Sequence, residues 1–426
     1  MLPPKRTKEN LIGLARSSIK NQLHSLVDSI VKPPPEYNMH GLVDENRLKW
    51  IWKNLGHLGN THYQYQRYSK PEINNGIFKI DNDAGQETTI ALLSDWATDT
   101  LESRNIATLV GQTDYSIHLG DTYYVGNSDE IGRNFNNTYD GHFPYGTRGS
   151  FAMLGNHEMY SSGKPYFTEL LPYMGVYTGI DTRQQEASFF CLENDFWRII
   201  GLDTGYDSIK GWLGLKPNLS LQLHNWQMQW LNETVKPGND NRGLIFLSHH
   251  QFISAFEDEY PTPARQIAQI LKPDKTILWL WGHEHRLSVY GNNKLAKGLN
   301  CFSRCIGQSG MPIEIGKLPK SEKWDDAICR NLVLYDERQR EIIDKKIRLG
   351  YNGFAKLRLN QSSLVIEYFD DNDSNPTTPR KIMEEKWSID VATGKMTGNH
   401  FKDFTEGSEK KITHFVNDIT SAYKTE

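Results

Sequence analysis

The sequence predicts an α/β protein with two stacked sheets, on three observations. From about residue 86 onward, short uninterrupted apolar runs each close on polar residues, the texture of strands buried on both faces. The stretches between those runs are long enough for helices or large loops, as crossover connections require. Further strand-like segments at 187–192, 197–202, 332–335 and 364–369 ask for a second sheet packed on the first.

Composition removes several functional classes. The chain has 426 residues, 48 basic and 52 acidic side chains and a net charge of -4, whereas a dedicated nucleic-acid binder is normally clearly basic. At 38% hydrophobic and 23% charged residues it can build a sizeable core. Its longest uncharged apolar runs fall well short of the roughly 20 residues that cross a bilayer, so no membrane span is expected. The first residues, Met1-Leu2-Pro3-Pro4-Lys5-Arg6, do not lead into an apolar stretch of signal type. Four cysteines, Cys191, Cys301, Cys305 and Cys329, are too few to staple this length and fit a reducing compartment, so a cytoplasmic location is expected.

Along the chain, residues 1–85 form a helical N-terminal extension. Ile12, Ala15, Ile19, Leu23, Leu26, Val27 and Ile30 recur at helical spacing until Pro33-Pro34-Pro35 stops the helix. Its apolar face packs on its own domain or makes a homo-oligomer with a twin subunit. Five runs then follow. The run 88–93 closes on Ser94-Asp95, 115–119 on Gly120-Asp121, and 151–154 on Gly155-Asn156-His157-Glu158. The run 244–247 closes on Ser248-His249-His250, and 277–281 on Gly282-His283-Glu284-His285. The polar stretch Asp370 to Pro376 has loop composition. It ends a main domain of residues 86–370 and leaves 371–426 as a C-terminal extension, with Trp387, Ile389 and Phe401 in a hairpin.

Those five endings carry the chemistry. In open α/β sheets sites form beyond the carboxyl ends of strands, and here every such end delivers an oxygen or nitrogen donor. Imidazole mixed with carboxylate suits zinc, iron or manganese, whereas magnesium and calcium prefer oxygen alone. One aspartate can bridge two ions about 3.5 to 4 Å apart.

The ordered set Asp95, Gly120-Asp121, Gly155-Asn156-His157-Glu158, His249 and Gly282-His283-Glu284-His285 resembles the calcineurin-like metallophosphoesterases. Most members carry Asp-x-His at the first strand, but this chain reads Asp95-Trp96-Ala97. That loss, with a tyrosine three residues after the second aspartate (Tyr124), is most similar to the purple acid phosphatase branch. Ala97 and Gln251 depart from that branch, which has glycine and proline at those places.

The resemblance implies a four-layer α/β/β/α sandwich of two mixed sheets. It implies two metal ions, Fe(III) held by Asp95, Tyr124 and His285, and divalent Fe, Zn or Mn held by Asn156, His249 and His283, with Asp121 bridging. It implies that His157 is catalytic, helping to protonate the leaving oxygen or to stabilise the transition state, while a metal-activated hydroxide attacks a small phosphorylated substrate in line. Ferric plus divalent charge of about +5 against about -4 from the donors and hydroxide leaves a site that attracts phosphate. The expected activity is phosphate monoester hydrolysis. A phosphodiesterase of the same superfamily and a catalytically silent metal-binding scaffold are the alternatives.

Each residue alone has an ordinary explanation. Asp95 could cap a turn, Asn156 could sit in one, and Tyr124 could pack half-buried. His250 is adjacent to His249, and on a continuing strand only one of them faces the crevice. It is therefore structural or a substrate-binding contact. Cys301 and Cys305, without a second cysteine pair nearby, read as packing. His57 and His62 read as surface or capping residues, and Trp96, Trp279 and Trp281 as core.

Overall fold

The computed structural model describes residues 62–80, 86–136, 141–178, 182–210, 216–311, 313, 315, 331–343, 347–372, 377–408 and 410–414. The helix expected around residues 12–30, His57 and Cys329 lie outside these.

Eight strands position the site and its support: β1 (Thr88–Leu93), β2 (Tyr115–His118), β3 (Gly149–Ala152), β4 (Trp197–Leu202), β5 (Gly243–Ser248), β6 (Thr276–Trp281), β7 (Asn300–Ile306) and β8 (Arg380–Asp390). They belong to two nine-stranded sheets. One runs Ile77–Lys79, Phe190–Glu193, β4, β5, β6, β7, Leu287–Lys294, Leu332–Tyr335 and Thr413–His414. The other runs Lys395–Asp403, β8, Ser363–Asp370, Gly353–Asn360, β1, β2, β3, Gly175–Val176 and Arg183–Gln184. Pairing is parallel within β4-β5-β6-β7 and within β1-β2-β3. Antiparallel strands, such as Gly353–Asn360 beside β1, flank both parallel blocks. Both sheets are mixed, as expected.

The parallel strands read as unbroken apolar runs because both faces are covered. Between the sheets, Phe78 packs on Phe151 at 5.0 Å and Phe302 on Trp387 at 4.9 Å between ring centroids. Outside the second sheet, α1 (Leu101–Val110) and α2 (Ser128–Phe135) set Ile106, Leu109, Ile131 and Phe135 against Ala91, Leu93 and Trp96. Thr100 and Ser103 form a capping box that starts α1. A short helix, α3 (Asn156–Met159), follows β3. Outside the first sheet, α4 (Asn225–Trp230) and α5 (Pro261–Ile270) contribute Trp230, Ala264 and Ile267 to the core containing Leu244 and Phe246. The result is the α/β/β/α layering.

The segment 371–426 is not a separate extension in its described part. β8 pairs with Ser363–Asp370 and with Lys395–Asp403, and Thr413–His414 pairs with Leu332–Tyr335 in the other sheet. The expected hairpin exists, but it is built into a sheet, where Trp387 and Ile389 join the main core. Residues 62–80, assigned to the N-terminal extension, likewise join the body: Tyr65, Tyr68, Phe78 and Ile80 are buried in the main core. Cys191, Cys301 and Cys305 are free, buried thiols. Burial pushes Cys301 up to about 12, so it packs as an inert small apolar group. Among the described residues no helix is long and apolar enough to cross a membrane.

Candidate metal centre

The carboxyl ends of β1, β2, β3, β5 and β6 converge. Asp95, Asp121, Asn156, His249 and His283 are all buried. Three of them hold left-handed backbone, with φ of 55° at Asp95, 72° at Asp121 and 64° at His283. Non-glycine residues rarely adopt this region, and each such residue costs on the order of 1–3 kcal/mol. The turns are that tight because two glycines let neighbouring backbones touch. A Cβ on Gly155 would stand 2.3 Å from Asp121 Oδ1, and one on Gly120 2.9 Å from His249 Nδ1. Glu158, fully buried, ties the turns together by accepting main-chain N–H bonds from Thr122 at 2.6 Å, Gly155 at 2.9 Å and Asp121 at 3.3 Å. Burial, reinforced by the Asp121 charge, pushes the Glu158 carboxyl up to about 7.

The donor atoms fall into two groups. Around His249 Nε2 stand Asp121 Oδ1 at 3.3 Å, Asn156 Oδ1 at 3.3 Å and His283 Nδ1 at 3.2 Å. Around the Tyr123 hydroxyl stand Asp121 Oδ2 at 3.0 Å, His285 Nε2 at 3.2 Å and, closer still, Asp95 Oδ1. His285 Nε2 is also 3.3 Å from Asp95 Oδ1. Ligands about 2.0–2.1 Å from a tetrahedral ion lie roughly 3.3–3.4 Å from one another, so both groups have the spacing of a coordination shell. Asp121 sends one carboxylate oxygen to each. The residues present therefore fit a pair of bridged cations.

Charge draws the carboxylates and imidazoles of the cluster together. Burial alone would lower the pKa of His249, but the Asp121 charge and hydrogen bond raise it to about 9. Burial likewise raises Asp95, and the His285 hydrogen bond and charge outweigh it, holding the carboxyl at about 2. A cation entering must displace the His249 proton, so binding is coupled to proton release. The His249 ring is aimed by Nδ1, which lies 3.0 Å from the Leu119 carbonyl oxygen, the outer contact that fixes a ligating imidazole.

Seven of the nine expected site residues (Asp95, Asp121, Asn156, His157, His249, His283 and His285) meet here, and His250 packs beside His283 with ring centroids 4.5 Å apart. The resemblance points to the Tyr124 phenol. The phenol among the donors belongs to Tyr123, and Tyr124 meets the site through its carbonyl oxygen, 2.6 Å from His157 Nδ1. The Tyr123 N–H bonds the Ala97 carbonyl at 2.8 Å, tying this turn to the one after β1. The tandem Tyr123-Tyr124 is the one sequence signal that both were candidates. Trp96 lies in the helix-side core, with Nε1 bonded to the Ser103 carbonyl at 2.8 Å, and Trp279 and Trp281 are buried core. His62 rests edge-on against Tyr206 at 5.4 Å, away from the donors named above.

A calcineurin-like phosphoesterase family model matches residues 54–287, more than half of the chain. No curated protein matches it. Among solved structures it is similar to a purple acid phosphatase from yellow lupin (Lupinus luteus) seeds, at 14% identity and a TM-score of 0.47, over 73% of this chain and 55% of that one. The chain thus spans about half the length of the lupin enzyme. It is also similar to PhoD, at 11% identity and a TM-score of 0.46 over 78% of this chain and 74% of that one. A third is GAP50 of Plasmodium, described as an anchor in the inner membrane complex, at 12% and 0.42 over 71% and 89%. The ordered donors, the two-sheet fold and the match over residues 54–287 agree: the chain belongs to the calcineurin-like phosphoesterase family.

Proposed function

We propose that the protein hydrolyses phosphate monoesters at a centre of two cations, and one observation carries this: Asp121 presents its two carboxylate oxygens to two separate donor groups. One position would be held by Asp95, Asp121, Tyr123 and His285, the other by Asp121, Asn156, His249 and His283. Bound there, the ions supply an activated water and neutralise the phosphoryl oxygens. The oxygen-rich first group, with a phenol, suits Fe(III); the nitrogen-richer second suits divalent zinc, iron or manganese.

The chain's own contribution is orientation and a proton. His157 donates from Nδ1 to the Tyr124 carbonyl at 2.6 Å, because a carbonyl oxygen can only accept. Its Nε2 is thereby turned to the centre, 3.7 Å from Asp121 Oδ2. A proton carried on Nε2 is the one His157 can hand to a departing alkoxide, giving alcohol and phosphate. The main-chain N–H of His157 bonds Asp121 Oδ1 at 2.9 Å, so acid and bridging carboxylate are set by one turn.

The metal-loaded protein is expected to turn over an aryl phosphate monoester far faster than the matching diester. His157→Asn should lower kcat by about 10²–10⁴-fold with metal content unchanged. A diester preference of orders of magnitude would assign the site to diesters, and no turnover of any ester by the loaded protein would leave a binding protein. Separately, Tyr123→Phe should abolish the visible absorption of an iron-loaded sample, whereas Tyr124→Phe should retain it. The reverse pattern returns the phenol role to Tyr124.

A further inference from the structure

We propose that His250 supplies a third imidazole to the second cation position, making that end of the centre a site for a nitrogen-seeking divalent ion such as zinc. This role presupposes the two-cation centre proposed above. One ligand atom from each of His249, His250 and His283 lies within 4.8 Å of the other two, and all three side chains are buried. The ring centroids form a triangle of 4.8, 4.5 and 5.1 Å.

Two adjacent histidines reach one ion because the alternation of a strand no longer applies to them. β5 ends at Ser248, whose hydroxyl bonds the His250 carbonyl at 2.8 Å. The His250 N–H is taken by Thr204 Oγ1 at 3.0 Å, and His250 Nδ1 stands 3.2 Å from the same oxygen. Tyr260 closes on the ring edge-to-face at 4.8 Å. His250 is therefore held as His249 is, with Nδ1 beside a protein oxygen, the outer contact that fixes a ligating imidazole. The centre becomes unequal. Two carboxylates and a phenol with one imidazole mark the first position; three imidazoles, an amide oxygen and one carboxylate oxygen mark the second. Imidazole favours zinc over manganese or magnesium, which prefer oxygen.

The test uses the full chain, stripped of metal and titrated with zinc by calorimetry, with X-ray absorption of the zinc-loaded protein counting imidazoles. His250→Ala is expected to weaken one of two zinc ions by about 10-fold or more and to lower the imidazole count. Thr204→Val, which keeps the ring but removes its anchor, should weaken the same ion less. Unchanged zinc affinity and imidazole count in His250→Ala overturn the proposal. So does a variant that binds zinc normally but loses affinity for inorganic phosphate, which would make His250 an anion contact. Should His250→Ala fail to fold, the wild-type imidazole count decides: His249, His283 and His285 alone would give three over two ions, and His250 a fourth. His283→Ala serves as reference, since two zinc ions retained there would sink the two-cation centre itself and not the role of His250 alone.

Discussion

Asp121→Asn is expected to leave a folded protein that no longer holds two cations and loses phosphoesterase turnover by about 10³-fold. Removing a single preorganised electrostatic group from a reaction centre costs about 10²–10³-fold. Asp121 stands at the upper end because its oxygens serve both donor groups, at 3.3 Å from His249 Nε2 and 3.0 Å from the Tyr123 hydroxyl. An asparagine keeps one oxygen, which can still accept the His157 N–H as Asp121 Oδ1 does at 2.9 Å, so the turn survives. It loses the charge and the second oxygen. Two readouts separate loss of metal from loss of fold. Metal analysis should fall from two ions toward one or none. Melting should cease to rise with added metal, since a ligand stabilises only the state that binds it. Metal-free wild type is the reference for the fold, because removing the Asp121 charge relieves its buried neighbour Glu158 but takes a partner from His249. A variant that keeps two tightly bound ions and full turnover would remove the bridge, and with it the proposed function.

How much of this was legible in the sequence depends on how local each feature is. Asp95, Asn156 and the Gly-His-x-His turn could be read because strand, turn and donor lie within a few residues of one another. The tyrosine could not. The Tyr123 hydroxyl meets Asp95, 28 positions earlier, and His285, 162 positions later, only once the chain is folded. Glu158 was visible as part of a motif, yet its work of holding three main-chain N–H groups appears only when the loops after β2 and β3 are brought together. Strands such as β7, read as Asn-Cys-Phe-Ser-Arg-Cys-Ile, escape a search for apolar runs because Arg304 interrupts them. The sequence does not show that this arginine is buried, because its partner lies 81 residues on.

That partner is Glu385, and Glu385→Gln is expected to destabilise the protein by about 3–5 kcal/mol, the usual penalty for leaving one charge of a buried pair alone. Arg304 on β7 and Glu385 on β8 are both fully buried and join the two sheets through two bonds, Nε to Oε1 at 2.8 Å and Nη2 to Oε2 at 2.6 Å. Arg304 also donates to the carbonyls of Tyr290 at 2.7 Å and Ser303 at 2.8 Å. Glu385 accepts from the Tyr368 hydroxyl and from Trp387 Nε1, the latter at 3.1 Å. For one cooperative unfolding step of a chain this long, the loss lowers Tm by roughly 4–6 °C. Swapping a buried pair for apolar residues is often harmless, but not here. An Arg304→Met, Glu385→Leu double variant orphans Tyr368 and Trp387, each at about 1–3 kcal/mol, so it should remain clearly less stable than wild type. Burial raises the Glu385 pKa, but the Arg304 charge and hydrogen bonds outweigh it and leave it below its ordinary 4.5. A depressed carboxyl stabilises fully above its unfolded pKa and loses that contribution as pH falls through the folded one. The gap in urea midpoint between wild type and Glu385→Gln should therefore be constant above about pH 5 and narrow below about pH 4. A gap that instead widened in acid, or a double variant as stable as wild type, would show that the two sheets are held by apolar packing alone and that β8 needs no ionic bolt to stay in the fold.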